Sequence, residues 1–331
     1  MATSFGSQFA KQMVISTTTE GSYAPASVVP TGPLQIDPAA HALHYGSSCF
    51  EGLKAHKGAD GVVRMFRLDA HVARMRRSAE LLMLPVPAAD VLTDAITKAV
   101  VANLDAVPDA PGALYLRPVL LGMDPNIGAA ASPSSSAMLY VLASPVGDYF
   151  DSSRTLTVAV ETELPRTTPQ FGQIKTGANY AMSLGVTRKA AAEHGADQVL
   201  FAPGGDIQET GAANFIMIDG DTVVTRALDS SFLHGVTRDS LLTLATHTGL
   251  TVEERDLHVD ELAGKADEAE AALAGTAAVL APIGTLIVKG QRVQVRDGRP
   301  GPQSSALREA LLAIQRGQAT DQWGWTTPVE G

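Results

Sequence analysis

Between residue 156 and the end of the chain, short apolar runs alternate with helical patterns, and this alternation limits the possible folds more than any other feature. Residues 156–160, 198–202, 214–218, 222–225 and 250–255 are rich in Val, Ile, Leu, Phe and Thr and are bounded by turn residues, as strands are. Pro203-Gly204-Gly205 separates 198–202 from a further short run at 206–209, and Asp219-Gly220 separates 214–218 from 222–225. Helical patterns at 179–194 and 236–248 end at Gly195 and Gly249, and a last helix is expected over about 304–316. Strands and helices in this order pack as layers, so the fold class is α/β (α+β).

The first half carries the same elements with a different rhythm. Residues 1–30 are polar and rich in Ser, Thr and Pro, which predicts an extended arm. A strand at 62–66 leads to a helix capped by Asp69, with the apolar stripe Val72, Met75, Ala79 and Leu82; Arg74 lies off that stripe. Pro85 and Pro87 end it, and a second amphipathic helix covers about 89–103. The strand over 113–120 puts Tyr115 and Arg117 on one face, and another strand covers 138–143. Pro and Gly within 144–154 mark a linker, so the expected domains are 1–143 and 155–331.

Composition removes several classes of function. The net charge of −10 and the lack of a dense Lys/Arg run argue against a nucleic-acid partner. A lone cysteine, Cys49, permits no internal disulfide and suits a reducing compartment. The charge-free stretch 271–288 is long enough to raise a membrane span, but Pro282 and Gly284 break it, and a strand-turn-strand is expected instead. With no signal-peptide pattern at the N-terminus, a cytoplasmic protein with no membrane partner is expected. His41 and His44 have metal-like spacing without a second ligand pair, so no metal is expected; HExxH, GxSxG, the P-loop and GxGxxG are all missing.

Few routes to chemistry then remain. Lys175 is the lone charge in Gly172-Gln173-Ile174-Lys175-Thr176-Gly177-Ala178-Asn179-Tyr180, a loop of mostly small residues before an Ala-rich helix. It is either a solvated cation or an amine in a partly dry pocket, where burial favours the neutral form able to attack an aldehyde and hold it as a Schiff base. Glu209, before Thr210-Gly211-Ala212-Ala213, is either a solvated turn residue or a carboxylate aimed at a basic ring nitrogen. Gly235-Val236-Thr237 opens a helix whose N–H groups suit a phosphate, although an ordinary N-cap has the same pattern. Gly275-Thr276-Ala277-Ala278 likewise leaves backbone N–H groups accessible to an anion.

The segments HALHYGSSCFEGLKA, FRLDAHVARMRRSA, LYLRPVLLGMDPNIG, SPVGDYF, KTGANY, ETGAANF, LHGVTRDS and AGTAAV, in this order, resemble the fold-type IV pyridoxal-phosphate enzymes, and most closely the branched-chain-amino-acid aminotransferases. The resemblance covers about Gly32 to Trp325. It implies two domains, a smaller N-terminal α/β domain and a larger C-terminal one with a β-barrel-like core, and pyridoxal 5′-phosphate as cofactor. By the same resemblance, Lys175 binds the cofactor and moves the proton, Glu209 pairs with the pyridine nitrogen, and Tyr180 bonds the phenolic oxygen. Arg74, Val236, Thr237, Gly275 and Thr276 hold the phosphate. Tyr45, Tyr115 and Arg117 line the substrate pocket, and the turn Thr276-Ala277 takes the α-carboxylate. A homodimer is implied, with Ile127 of the neighbouring copy completing the pocket. The implied reaction moves the amino group of leucine, isoleucine or valine to 2-oxoglutarate by a ping-pong route through pyridoxamine phosphate. Ala212 stands where some relatives carry a threonine, and His234 receives no role.

Overall fold

A computed structural model of the chain describes residues 5–19, 21–147 and 154–330. Internal contacts divide it into two compact units: residues 1–149 with 174–177 and 313–331, and residues 150–173 with 178–312.

The first unit is built on a nine-stranded antiparallel sheet. Its path runs Thr326–Val329, Val63–Phe66, Leu53–Lys57, Ala113–Gly122, Ala137–Val146, Gln12–Thr19 and Ser22–Tyr23; Ser48–Phe50 pairs with Ala113–Gly122, and Ser27–Pro30 with Gln12–Thr19. The helices Leu68–Leu81 and Ala89–Val101 bury Val72, Met75, Ala79, Leu92 and Ile96 in one core with Leu53, Leu114, Leu116 and Leu139 of the sheet. The 3.6-residue stripe read from the sequence is the stripe that packs. The helix start differs from expectation. Arg67, in the left-handed region at φ 51°, precedes Leu68, and Asp69 lies within the first turn, where its charge complements the helix dipole.

The expected N-terminal arm is built into this sheet. Gln12–Thr19 pairs with Ala137–Val146, which buries Met13 and Val14. Strand Ala137–Val146 also runs into the stretch read as the start of a linker, while residues 148–153 of that stretch lie outside the described residues.

The second unit is an eight-stranded mixed sheet. Its path runs Gln198–Phe201, Leu156–Glu161, Val279–Val288, Glu270–Gly275, Asn214–Asp219, Thr222–Thr225 and Thr251–Glu254, with Gln291–Gln294 beside Val279–Val288. Two of its parallel pairs have the crossover that parallel strands need: helix Gly177–His194 joins Leu156–Glu161 to Gln198–Phe201, and helix Val236–His247 joins Thr222–Thr225 to Thr251–Glu254. Gly195, at φ +66°, ends the first of these helices in the left-handed conformation a glycine adopts without strain. The stretch 271–288 is a strand-turn-strand, but its turn falls at 276–278, and Pro282 and Gly284 lie inside strand Val279–Val288 instead of breaking the run. Residues 206–209 form isolated bridges, Asp206 with His258 and Glu209 with Asn214, in place of the expected strand. No helix among the described residues is long and apolar enough to cross a membrane.

Candidate active site

In the first unit, a helix face and a strand end set the position of Lys175. The Lys175 N–H donates to Ser78 Oγ at 3.1 Å, and its carbonyl accepts from Phe50 N at 3.0 Å, so the backbone is tied on both sides. The half-buried side chain places Nζ 5.1 Å from the Phe50 ring centroid. Arg117 Cζ lies 4.6 Å from the same ring, and Arg117 Nη2 donates to the Tyr115 hydroxyl at 2.9 Å. Tyr115 passes so close to Gly52 that a Cβ there would overlap its hydroxyl. One amine, one guanidinium, one phenol and an aromatic face therefore form a single cluster. Arg117 Nε is buried without a hydrogen-bond partner, an orphaned donor in this cluster.

His71, Arg74 and Ser78 share one face of helix Leu68–Leu81, being three and four residues apart. The first two meet Glu51, which follows Phe50 and is fully buried. Its carboxylate accepts from Arg74 Nε at 2.6 Å, Arg74 Nη2 at 2.9 Å and His71 Nδ1 at 2.8 Å. Burial by itself would raise the pKa of this carboxyl, but the charge of Arg74, with the hydrogen bonds from Arg74 and His71, holds it far below the ordinary carboxylate range. Burial lowers the pKa of His71, and Glu51 only partly opposes this, so a neutral imidazole donates through Nδ1.

Tyr45 is half-buried. Its hydroxyl donates to the Ile127 carbonyl and not to Arg117, and its ring centroid lies 4.9 Å from that of His41. Ile127 itself is 69% exposed. His41 and His44 do not converge on a metal: His41 bonds Ser47 Oγ at 2.8 Å and the Ser132 carbonyl at 3.0 Å, and His44 bonds the Pro38 carbonyl at 2.8 Å.

In the second unit, Glu209 is 2% exposed, which excludes the solvated-turn alternative. Its carboxylate forms an ion pair with Arg166 Nη2 at 2.6 Å and accepts from the Leu233 N–H at 2.8 Å and from Asn214 Nδ2 at 3.3 Å. Tyr180 is half-buried in the first turn of helix Gly177–His194. Val236 and Thr237 are buried at the start of the twelve-residue helix Val236–His247, whose N-cap, Gly235, offers no side-chain acceptor. N–H groups of that first turn thus suit an anion. Gly275, Thr276 and Ala277 are half-buried in the turn between Glu270–Gly275 and Val279–Val288. Ala212 is exposed, and His234 bonds the Asp229 carbonyl at 2.8 Å.

Each unit thus gathers part of the expected set: Lys175, Arg74, Tyr115 and Arg117 in the first, and Glu209, Tyr180, Val236, Thr237, Gly275 and Thr276 in the second. The sequence reading missed Phe50, Glu51, His71, Ser78, Arg166 and Asn214. All but Arg166 lie inside the quoted segments, and the 71–74–78 spacing was a usable signal for the helix face.

The chain matches the amino-transferase class IV family over residues 48–286. It is 38% identical to the branched-chain-amino-acid aminotransferase of Mycolicibacterium smegmatis, over 97% of this chain and 90% of that protein. Among solved structures, it is similar to a T.th. branched-chain amino acid aminotransferase with pyridoxamine 5′-phosphate, at a TM-score of 0.83 and 26% identity over 98% of this chain and all of that one. The same enzyme complexed with N-(5′-phosphopyridoxyl)-L-glutamate gives a TM-score of 0.81, with the same identity and coverage.

Proposed function

Since the chain belongs to the class IV amino-transferase family, we propose that it is a branched-chain-amino-acid aminotransferase, moving the amino group of L-leucine, L-isoleucine or L-valine reversibly to 2-oxoglutarate. Pyridoxal 5′-phosphate, the cofactor of this family, supplies an aldehyde that takes and returns the amino group and a ring that draws electrons from the substrate Cα. The residues present fit it: an amine in an aromatic cluster, a buried carboxylate, a helix start without a side-chain cap, and a guanidinium.

With the cofactor bound, Lys175 would hold its aldehyde carbon and, as a free amine, would carry the proton to and from the substrate Cα. Glu209 would hold the ring nitrogen, and Tyr180 would donate to the phenolic oxygen. Arg74 supplies directional donors to the phosphate, while Val236, Thr237, Gly275 and Thr276 add N–H groups and hydroxyls. Tyr45, Tyr115 and the Phe50 face form the apolar walls. Arg117 gives a charged donor for the distal carboxylate of glutamate, so that one pocket accepts both kinds of side chain. Backbone N–H groups of Thr276 and Ala277 take the α-carboxylate. A homodimer in the cytoplasm completes the reading, with Ile127 of a second copy closing the pocket; its exposure leaves it available for that contact.

The observation that carries this reading is the cluster in which the Lys175 amine and the Arg117 guanidinium share the Phe50 ring, with Tyr115 bonded to Arg117. L-Leucine and D-alanine, each assayed with 2-oxoglutarate, test it: turnover of L-leucine is expected, and turnover confined to D-alanine would overturn it. Borohydride reduction followed by peptide mapping should place the cofactor on Lys175, and light scattering should give the mass of a dimer.

A further inference from the structure

Arg166 belongs to no quoted motif, yet it forms an ion pair with the Glu209 carboxylate, Nη2 to Oε1 at 2.6 Å. Both side chains are 3% exposed. The same Nη2 donates to the Gly172 carbonyl at 3.1 Å, whereas Arg166 Nε is buried without a partner. Evolution of a core does not retain a buried guanidinium cheaply: desolvating it costs more than a packed apolar side chain would. The partner it offers to Glu209 is the feature that offsets this cost.

We propose that Arg166 is a positioning residue that keeps Glu209 ionised, so that the proton shared between Glu209 and the cofactor's ring nitrogen resides on the nitrogen. The inference rests on the assignment of Glu209 to that nitrogen. A buried carboxyl with neutral donors alone is driven towards its protonated form, because burial penalises the charge. As a neutral acid it would donate to the ring nitrogen and leave the ring uncharged. The Arg166 charge touches the carboxylate directly and is farther from any group on the carboxylate's other side. Coulomb's law therefore makes it favour the carboxylate anion more than it disfavours a protonated ring. Leu233 N–H and Asn214 Nδ2 fix the carboxylate's direction but supply no net charge, so Arg166 is the group among these three that selects the charge state.

The test is nitrogen NMR of enzyme loaded with pyridoxal 5′-phosphate labelled at the ring nitrogen. Wild type and Arg166→Lys should show a protonated ring nitrogen; Arg166→Gln and Glu209→Gln should both shift the signal to the unprotonated position. A protonated nitrogen in folded Arg166→Gln would overturn the inference while leaving Glu209 in its place. An unchanged signal in Glu209→Gln would instead overturn the assignment of Glu209 itself. A merely structural Arg166 would alter thermal stability without moving this resonance. Should Arg166→Gln not fold, isotope-edited infrared spectroscopy of the wild type decides the matter: Glu209 should give a carboxylate band at neutral pH. A neutral acid band that disappears in Glu209→Gln would refute the inference.

Discussion

Glu51→Gln measures how much stability the first unit draws from its buried charge cluster. The substitution keeps the side chain's size and removes one charge. In the wild type the Glu51 side chain is 1% exposed and accepts two hydrogen bonds from Arg74 and one from His71. Removing one partner of a buried ion pair costs ~3–5 kcal/mol. The Arg74 side chain is 12% exposed, so the released guanidinium regains some hydration, and the lower end, about 3 kcal/mol, applies. For a unit of this size that loss should lower the melting temperature by roughly 6–12 °C. Urea unfolding of cofactor-free protein at neutral pH, followed by circular dichroism, reads it. Arg74→Met and the double variant complete a cycle, in which a coupling of about 2 kcal/mol is expected because each single change strands the other charge. A loss for Glu51→Gln below about 0.5 kcal/mol, or strict additivity, would refute the reasoning.

The pH dependence of this difference follows from the direction of the shift. The Glu51 carboxyl is held far below its ordinary range in the folded protein, so on acidification the unfolded chain takes up the proton first. Its contribution is complete above about pH 5 and drains away as the pH falls below ~4.3 towards the folded value. His71 acts with the same sign: burial lowers its pKa, so the unfolded chain binds the proton first below about pH 6.5 and stability falls with pH there too. The gap between wild type and Glu51→Gln should therefore be constant near neutrality and narrow in acid. A gap that widens in acid would contradict the assignment of charge.

Three further outcomes are expected. Lys175→Ala should reduce turnover ~10³-fold or more and abolish borohydride labelling at that position, as mass spectrometry would show. Arg117→Gln should raise KM for L-glutamate about tenfold while leaving that for L-leucine within about threefold, because only glutamate needs the guanidinium; steady-state kinetics with both donors checks this. Burial, and then the nearby Glu51 charge, push the Cys49 thiol up to about 12, so iodoacetamide at pH 8 should leave the folded protein unlabelled and label it stoichiometrically in urea.

Local physics was legible in the sequence wherever it is written into neighbouring residues. The stripe Val72, Met75, Ala79 packs because helix geometry sets it on one face, and Gly195 ends its helix as its backbone requires, whereas Pro282, read as a break, lies inside strand Val279–Val288. Lys175 and Glu209 stood out because small residues surround both. The failures share a cause. Strand Gln12–Thr19 is rich in Thr and polar at its ends, so by composition it resembles an arm; burial of Met13 and Val14 comes from pairing with residues more than a hundred positions away. Asp69 looks like a cap in isolation, but Arg67 N–H donates to the Trp325 carbonyl at 2.6 Å, and the helix starts one residue after that fixed point.

The same limit applies with more consequence to charge. Glu51 and Arg74 are 23 positions apart, and Arg166 and Glu209 are 43 apart, so no window of sequence contains either pair. A motif can carry the residue that meets a ligand, since its shape is local. The protonation state that makes the residue useful is set by whatever the fold places behind it. Glu209 illustrates the division: Thr210 to Asn214 fix its backbone through a short turn, whereas its charge is decided by an arginine outside every motif. Glu51 and Glu209, buried to nearly the same extent, are each paired with a cation that only the folded chain supplies. An assignment of a catalytic carboxylate from sequence is for this reason an assignment of position, and becomes one of chemistry when its counter-charge is found.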